Sequence, residues 1–175
     1  MRRISIAMLL LATACRGSDA PSSAIGEGSS LAPGLERAAI DSGVIADAAR
    51  LSPIGLYQRT HEAGRDALCL IPDKLGDFRF GTRLSFGEDQ SCRGEGKARQ
   101  AGDKLILHFA GSGCIIVARY DGDQLTFPGV VDVKCADLCE GRGSMEGVTL
   151  PRITNDAASA LRAQDADGRA LCKAD

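Results

Sequence analysis

The sequence has no tryptophan, and its aromatic residues are five Phe and two Tyr in 175 residues. So thin a supply limits both the core and any aromatic platform for a ligand. Positive charge is not in excess either. Against 21 Lys and Arg stand 23 Asp and Glu, a formal charge of −2, which gives no support to a nucleic-acid footprint. CxxC is absent. Cys135 and Cys139 make a lone CxxxC without the second close-spaced pair of a four-cysteine zinc site, so no metal is assigned. No apolar run approaches the about 20 residues that span a bilayer.

Catalytic and cofactor motifs are missing in the same way. Gly94-Glu95-Gly96-Lys97 has the look of a phosphate loop, but no Gly stands at 91 and Ala98 replaces the Ser or Thr that would hold magnesium. Asp165-Ala166-Asp167-Gly168 has the look of a calcium loop, but Ala163 occupies its first ligand position and no Glu closes it. His61, Glu62 and Asp66 are the one His–carboxylate cluster, and they fall in a polar connection. His108, between Leu107 and Phe109, alternates onto the other face of a strand, which predicts a surface or partly buried histidine rather than a ligand. No nucleophile–base pair can be assembled by spacing. The expectation is therefore a protein that is not an enzyme and carries no cofactor; the alternative in that class is a hydrolase using His61 and Glu62.

What is present begins with seven cysteines, a count that points to an oxidising compartment. At the N-terminus, Arg2 and Arg3 form a basic region, residues 4–11 an apolar one, and Ala12-Thr13-Ala14 a small-residue cleavage site. Cys15 follows at once. Ala12-Thr13-Ala14-Cys15 resembles the lipobox of bacterial lipoproteins, with Ala12 where Leu is commonest and Leu9-Leu10-Leu11 just upstream. The resemblance implies that Cys15 is lipidated and becomes the mature N-terminus, held stably on a membrane because more than one acyl chain is attached. Arg16 stands where Asp would mark inner-membrane retention, which implies the outer membrane, facing the periplasm. Loss of residues 1–14, which contain two Arg and no acid, takes the formal charge from −2 to −4.

Residues 16–34 are small, polar and rich in Gly, Ser and Pro, a flexible tether with a reach on the order of 25 Å. The expected organisation is a signal peptide over 1–14, a lipidated cysteine and tether over 15–34, and one disulfide-linked β-rich domain over 35–175. Ile40, Val44, Ala48 and Leu51 predict a helix over 35–50, docked on the sheet by that stripe and ended by Pro53.

Strands follow at Ile54-Gly55-Leu56-Tyr57 and residues 67–71. Residues 78–134 then carry runs of β-branched and aromatic residues separated by Gly/Asp breaks at about ten-residue spacing, which read as an antiparallel meander. Phe78, Phe80, Thr82, Leu84 and Phe86 share one face, with Arg79, Arg83 and Ser85 on the other. Ile115-Ile116-Val117 is apolar on both faces and predicts a covered strand. After a helical turn at 135–139, a strand is expected near 144–150 and a last helix capped by Thr154 or Asn155 and ended by Gly168.

The fold class is mainly β (α+β). About eight strands form a small barrel or strongly curved sheet, with one helix before and one after it. Phe80, Leu84, Leu107, Ile116 and Val131 are expected in one core. Ile54-Gly55-Leu56-Tyr57 ahead of successive hairpins resembles calycin-type barrels of the lipocalin kind, without their Trp, which implies room for a small apolar ligand. Ser112-Gly113 with Arg119-Tyr120 resembles the periplasmic lysozyme inhibitors, small disulfide-linked barrels, at a different spacing.

Six cysteines remain after Cys15: Cys69, Cys92, Cys114, Cys135, Cys139 and Cys172. Structural disulfides are expected of them. If the turn at 100–103 pairs its two strands, Cys92 falls beside Cys114, the favoured pair. Cys135 and Cys139 then bond each other, or Cys69 and Cys172. The expected function is an envelope lipoprotein whose β-domain binds a small apolar ligand or an envelope protein, with no nucleic acid.

Overall fold

The computed structural model describes residues 32–173, so the expected signal peptide over 1–14, Cys15 and most of the expected tether over 15–34 lie outside the described residues. The elements run α1 (Ala32–Asp41), β1 (Gly55–His61), β2 (Gly64–Pro72), β3 (Phe78–Ser85), β4 (Ser91–Ala101), β5 (Lys104–Phe109), β6 (Ile115–Tyr120), β7 (Gln124–Thr126), β8 (Cys139–Glu140), β9 (Thr149–Thr154) and α2 (Ala157–Arg162). Eight strands close into an antiparallel barrel: β1 to β7 pair in sequence, and β9 fits between β7 and β1. The two-residue β8 hangs on the start of β4 outside that ring. The compact unit holding the barrel begins at Ala38, and the described residues before it, 32–37, fall outside that unit.

Turn chemistry and alternation explain the ring. Ala101 pairs with Lys104 across a two-residue hairpin in which Gly102 takes φ 63°, and such primed turns match the strand twist. In β3 the even-numbered residues Phe80, Thr82 and Leu84 are buried and Arg79 and Arg83 are half-buried, as the period-two pattern requires. The connection expected at 58–66 is instead the paired ends of β1 and β2, turning through Glu62 and Ala63, because Arg59 and Asp66 satisfy one another across the ladder.

The expected helix over 35–50 is cut short. It ends at Asp41, where Val44 N donates to Ala39 O (2.9 Å) and Gly43 N to Ile40 O (2.9 Å), with Gly43 at φ 73°. That paired closure around a left-handed glycine is a helix terminator, and it splits the apolar stripe. Val44 is left 77 % exposed, while Leu51, beyond the 3-10 turn Ala48–Arg50, packs on the core.

Phe80, Leu84, Leu107 and Ile116 are buried in a single cluster inside the barrel, and Val131 is partly buried against it. At one end, the segment through Ala48 and Leu51 crosses the barrel, held by Gln100 Nε2 donating to both carbonyls at 3.1 and 3.2 Å. At the other end lies an excursion not foreseen in the sequence. The meander read over 78–134 stops early, because Pro128 and Gly129 end β7 at Thr126. Residues 127–148 then loop out and back, pinched at the base by Phe127 N to Val148 O (2.8 Å) and Gly147 N to Pro128 O (2.9 Å). Phe127, Cys135, Met145 and Val148 of this excursion are buried against the barrel core. The last strand consequently lies at Thr149–Thr154 rather than near 144–150. The final helix has six residues and is capped by Asp156, not Thr154 or Asn155, through Ser159 N (2.7 Å).

Candidate functional site

All six domain cysteines are bonded, as Cys69–Cys172, Cys92–Cys139 and Cys114–Cys135. The favoured Cys92–Cys114 pair is therefore wrong. Continued in register, β5 would reach Cys92, but it stops at Phe109 and turns back at once, with Phe109 N bonded to Cys114 O. The freed end of β4 is met by β8, which sets Cys92 directly opposite Cys139. Cys135, in the 3-10 turn Val133–Leu138, reaches Cys114 instead. Cys135 and Cys139 bond neither each other nor Cys69 and Cys172.

The barrel end crossed by residues 48–54 is organised by Arg152, which the sequence did not single out. Its Nη1 donates to Tyr120 Oη (3.0 Å) and Gly122 O (2.8 Å), and its Nη2 to the carbonyls of Ser52 and Ile54. The guanidinium also lies 5.8 Å from each ring centroid of Tyr57 and Tyr120, a cation–π distance. Tyr57 Oη donates to Pro53 O at 2.7 Å and Tyr120 Oη to Ser52 O at 2.9 Å. Burial raises both phenol pKa values against the opposing pull of Arg152, so both hydroxyls stay protonated donors. Arg152 Nε is buried without a hydrogen-bond partner, while its two Nη groups and both tyrosine hydroxyls are spent on closing the barrel.

The His–carboxylate cluster is a second structural knot. Asp66 is fully buried and accepts from Arg59 Nη2 (2.6 Å) and Ser85 N (2.8 Å), with His61 Nε2 at 3.1 Å. Glu62 is exposed at the hairpin tip and joins none of this. Ser85 Oγ donates to Arg65 O at 3.3 Å, so no hydroxyl is paired with the imidazole. Gly94 to Lys97 lie within β4, paired residue by residue with β3, which removes their amides from any phosphate cradle.

The calcium-like stretch is likewise committed elsewhere. Asp165 Oδ1 accepts from Asp167 N and Arg169 N, each at 2.9 Å, and Oδ2 is bonded by Arg93. This fastens the C-terminal strap to β4, while Gly81, bare of a Cβ, lets the strap pass: a Cβ there would stand 1.8 Å from Leu171 O. A groove of about 440 Å³ between strap and barrel is lined by Arg93, Gly94, Glu95, Leu138, Leu171 and Lys173. Arg93 is taken by Asp165 and Lys173 by Glu95 at 3.0 Å. Among the described residues no His, Cys, Asp and Glu group is placed to hold a metal ion.

Burial of Asp165 opposes its ionisation, but the Arg169 amide, the Arg93 guanidinium and the Asp167 amide outweigh it and hold its pKa below the usual 3.8. A depressed folded pKa contributes stability above the unfolded value, and that contribution is lost as pH falls through the folded one. Urea midpoints should thus hold steady from neutrality to about pH 5 and fall below about pH 4. Asp165→Asn should be weaker at pH 7 and show a shallower acid decline; parallel curves for the two proteins would contradict this.

The outer side of β6 departs from expectation. Ile116 faces the core, but Ile115 and Val117 are 47 % and 46 % exposed, and no described helix lies over them. His108 is exposed beside them, opposite Ile115. Comparison with protein-family models, with curated proteins and with solved structures finds no match to this chain. Among the described residues no helix is long and apolar enough to cross a membrane.

Proposed function

We propose that this chain is an envelope lipoprotein, anchored through Cys15 and facing the periplasm from the outer membrane, whose barrel binds a partner at its outer surface and catalyses nothing. The observation that carries the surface reading is the filled interior. Tyr57, Leu68, Leu70, Leu105, Leu107 and Leu150 are 0 % exposed. A lumen able to take a small ligand, typically some 300–1,000 Å³, leaves accessible area on its walls. These walls have none, which favours an envelope protein over a small apolar ligand in the lumen. The anchor is supported by the basic, apolar and small-residue order that ends in Cys15.

The other readings have weaker support. For a lysozyme-inhibitor-like module, Tyr120 is buried and its hydroxyl donates to Ser52 O (2.9 Å), so it is not presented to a partner. For a hydrolase, His61 and Asp66 lack a nucleophile, and Glu62 stands apart. The anchor is tested by labelled palmitate, which should enter the wild-type chain and not Cys15→Ser. Equal labelling of the two would dismiss the lipoprotein reading.

A further inference from the structure

Resting on that surface-binding reading, we propose that the outer face of β4, β5 and β6 docks a protein partner that presents an aliphatic patch bordered by carboxylates. Residues directly opposed in an antiparallel ladder point to the same side, so register alone builds this face in three rows. Lys97, His108 and Ile115 form one row; Arg99, Ile106 and Val117 form the next. Lys104 opposite Arg119 completes it.

The aliphatic centre is unusual for the outside of a closed barrel. Single exposed apolar residues are ordinary, whereas a contiguous patch marks an interaction site. Ile106, Ile115 and Val117 are neighbours across one rigid ladder. Val130 and Val133, 80 % and 84 % exposed, lie in the segment that the Cys114–Cys135 bond fastens beside the start of β6.

Charge then narrows the occupant. Like charges directly opposed across strands destabilise a sheet, yet Lys104 faces Arg119 and neither has an ion-pair partner among the described residues. Lys97 and Arg99 are 73 % exposed and reach Asp73 and Asp77 only at 3.4 and 3.5 Å. Nothing within the barrel uses the Lys104–Arg119 pair, so its complement is external and acidic. A second copy docked by two-fold symmetry would set cations against cations. A lipid surface fits less well, because the face has no aromatic side chain to seat at a headgroup boundary. An aliphatic centre within a charged rim is the anatomy of a protein–protein interface.

The test is photo-crosslinking in the native cells, using the full chain with p-benzoylphenylalanine in place of Val117. The control position is Ile153, 55 % exposed on β9. Position 117 should give one discrete adduct to another protein, and 153 none. The cross-linked partner peptide should contain aliphatic residues flanked by Asp or Glu. Adding Lys104→Glu with Arg119→Glu should cut the yield by about fivefold or more, since rim charges steer association, while the melting temperature stays unchanged. A charge-insensitive adduct, or one to lipid, to a second copy or to residues 16–34 of the same chain, would overturn the proposal. An adduct at 153 alone would overturn this face and leave the surface-binding reading standing. No protein adduct at either position would sink both.

Discussion

Replacing Cys69 and Cys172 together by Ala should lower the unfolding free energy by about 4–5 kcal/mol, the largest single effect in this fold. The bond joins residues 103 apart, so breaking it releases nearly the whole barrel from a closed loop. Loop-closure entropy grows with the logarithm of loop length, which puts Cys114–Cys135, 21 residues apart, at about 3 kcal/mol by the same reasoning. Beyond the Asp165–Arg93 tie, which lies N-terminal to Cys172, the end of the strap has few other holds. Leu171 and Cys172 are buried in a small satellite cluster with Ala67, Ile71, Ala160 and Ala163. The Lys173–Glu95 pair is more than half exposed at both ends, and such pairs contribute little. Urea denaturation of oxidised protein should show a lower midpoint with the larger shift for the Cys69/Cys172 double variant. Equal shifts for the two bonds would mean that local packing, not chain closure, sets the effect.

Leu107→Ala should cost about 4 kcal/mol, in the upper half of the range for buried leucines. Leu107 is 0 % exposed on the inner face of β5 and belongs to the main cluster. A ring in which β3 pairs with β4 over eight residues has no free edge along which to collapse, so the cavity stays open. The cost of such a substitution rises with the cavity that remains. Val117→Thr, on the outer face of β6, should change stability by no more than about 0.5 kcal/mol. Thermal and urea unfolding of both variants would check the pair of values. A cost below about 1 kcal/mol for Leu107→Ala would mean that the interior is loosely filled, and would reopen the lumen as a ligand site.

The candidate site was legible only in part. Phe80, Leu84, Leu107 and Ile116 could be assigned to one core because alternation is written residue by residue. Arg152 could not: between Pro151 and Ile153 it reads as an ordinary exposed strand cation, and its role depends on two tyrosines and three carbonyls brought from distant segments. Asp66 reads as part of a polar connection for the same reason, since Arg59 and Ser85 come to it only after β1, β2 and β3 pair. The exposed face of β6 was misread as covered, because a strand apolar on both faces does not say what lies against its second face.

By itself, the sequence determined the meander, the Gly/Asp breaks that turn it and the inward faces of its strands. These are local properties, set by period-two alternation and by the few residues that accept tight turns. Only the tertiary structure decided the closure of eight strands, the excursion over residues 127–148 and the three disulfide partners. Cys92 meets Cys139 because β5 turns back at Phe109 and leaves the end of β4 open to β8. That outcome depends on where segments far apart in sequence come to rest, and spacing along the chain carries no record of it.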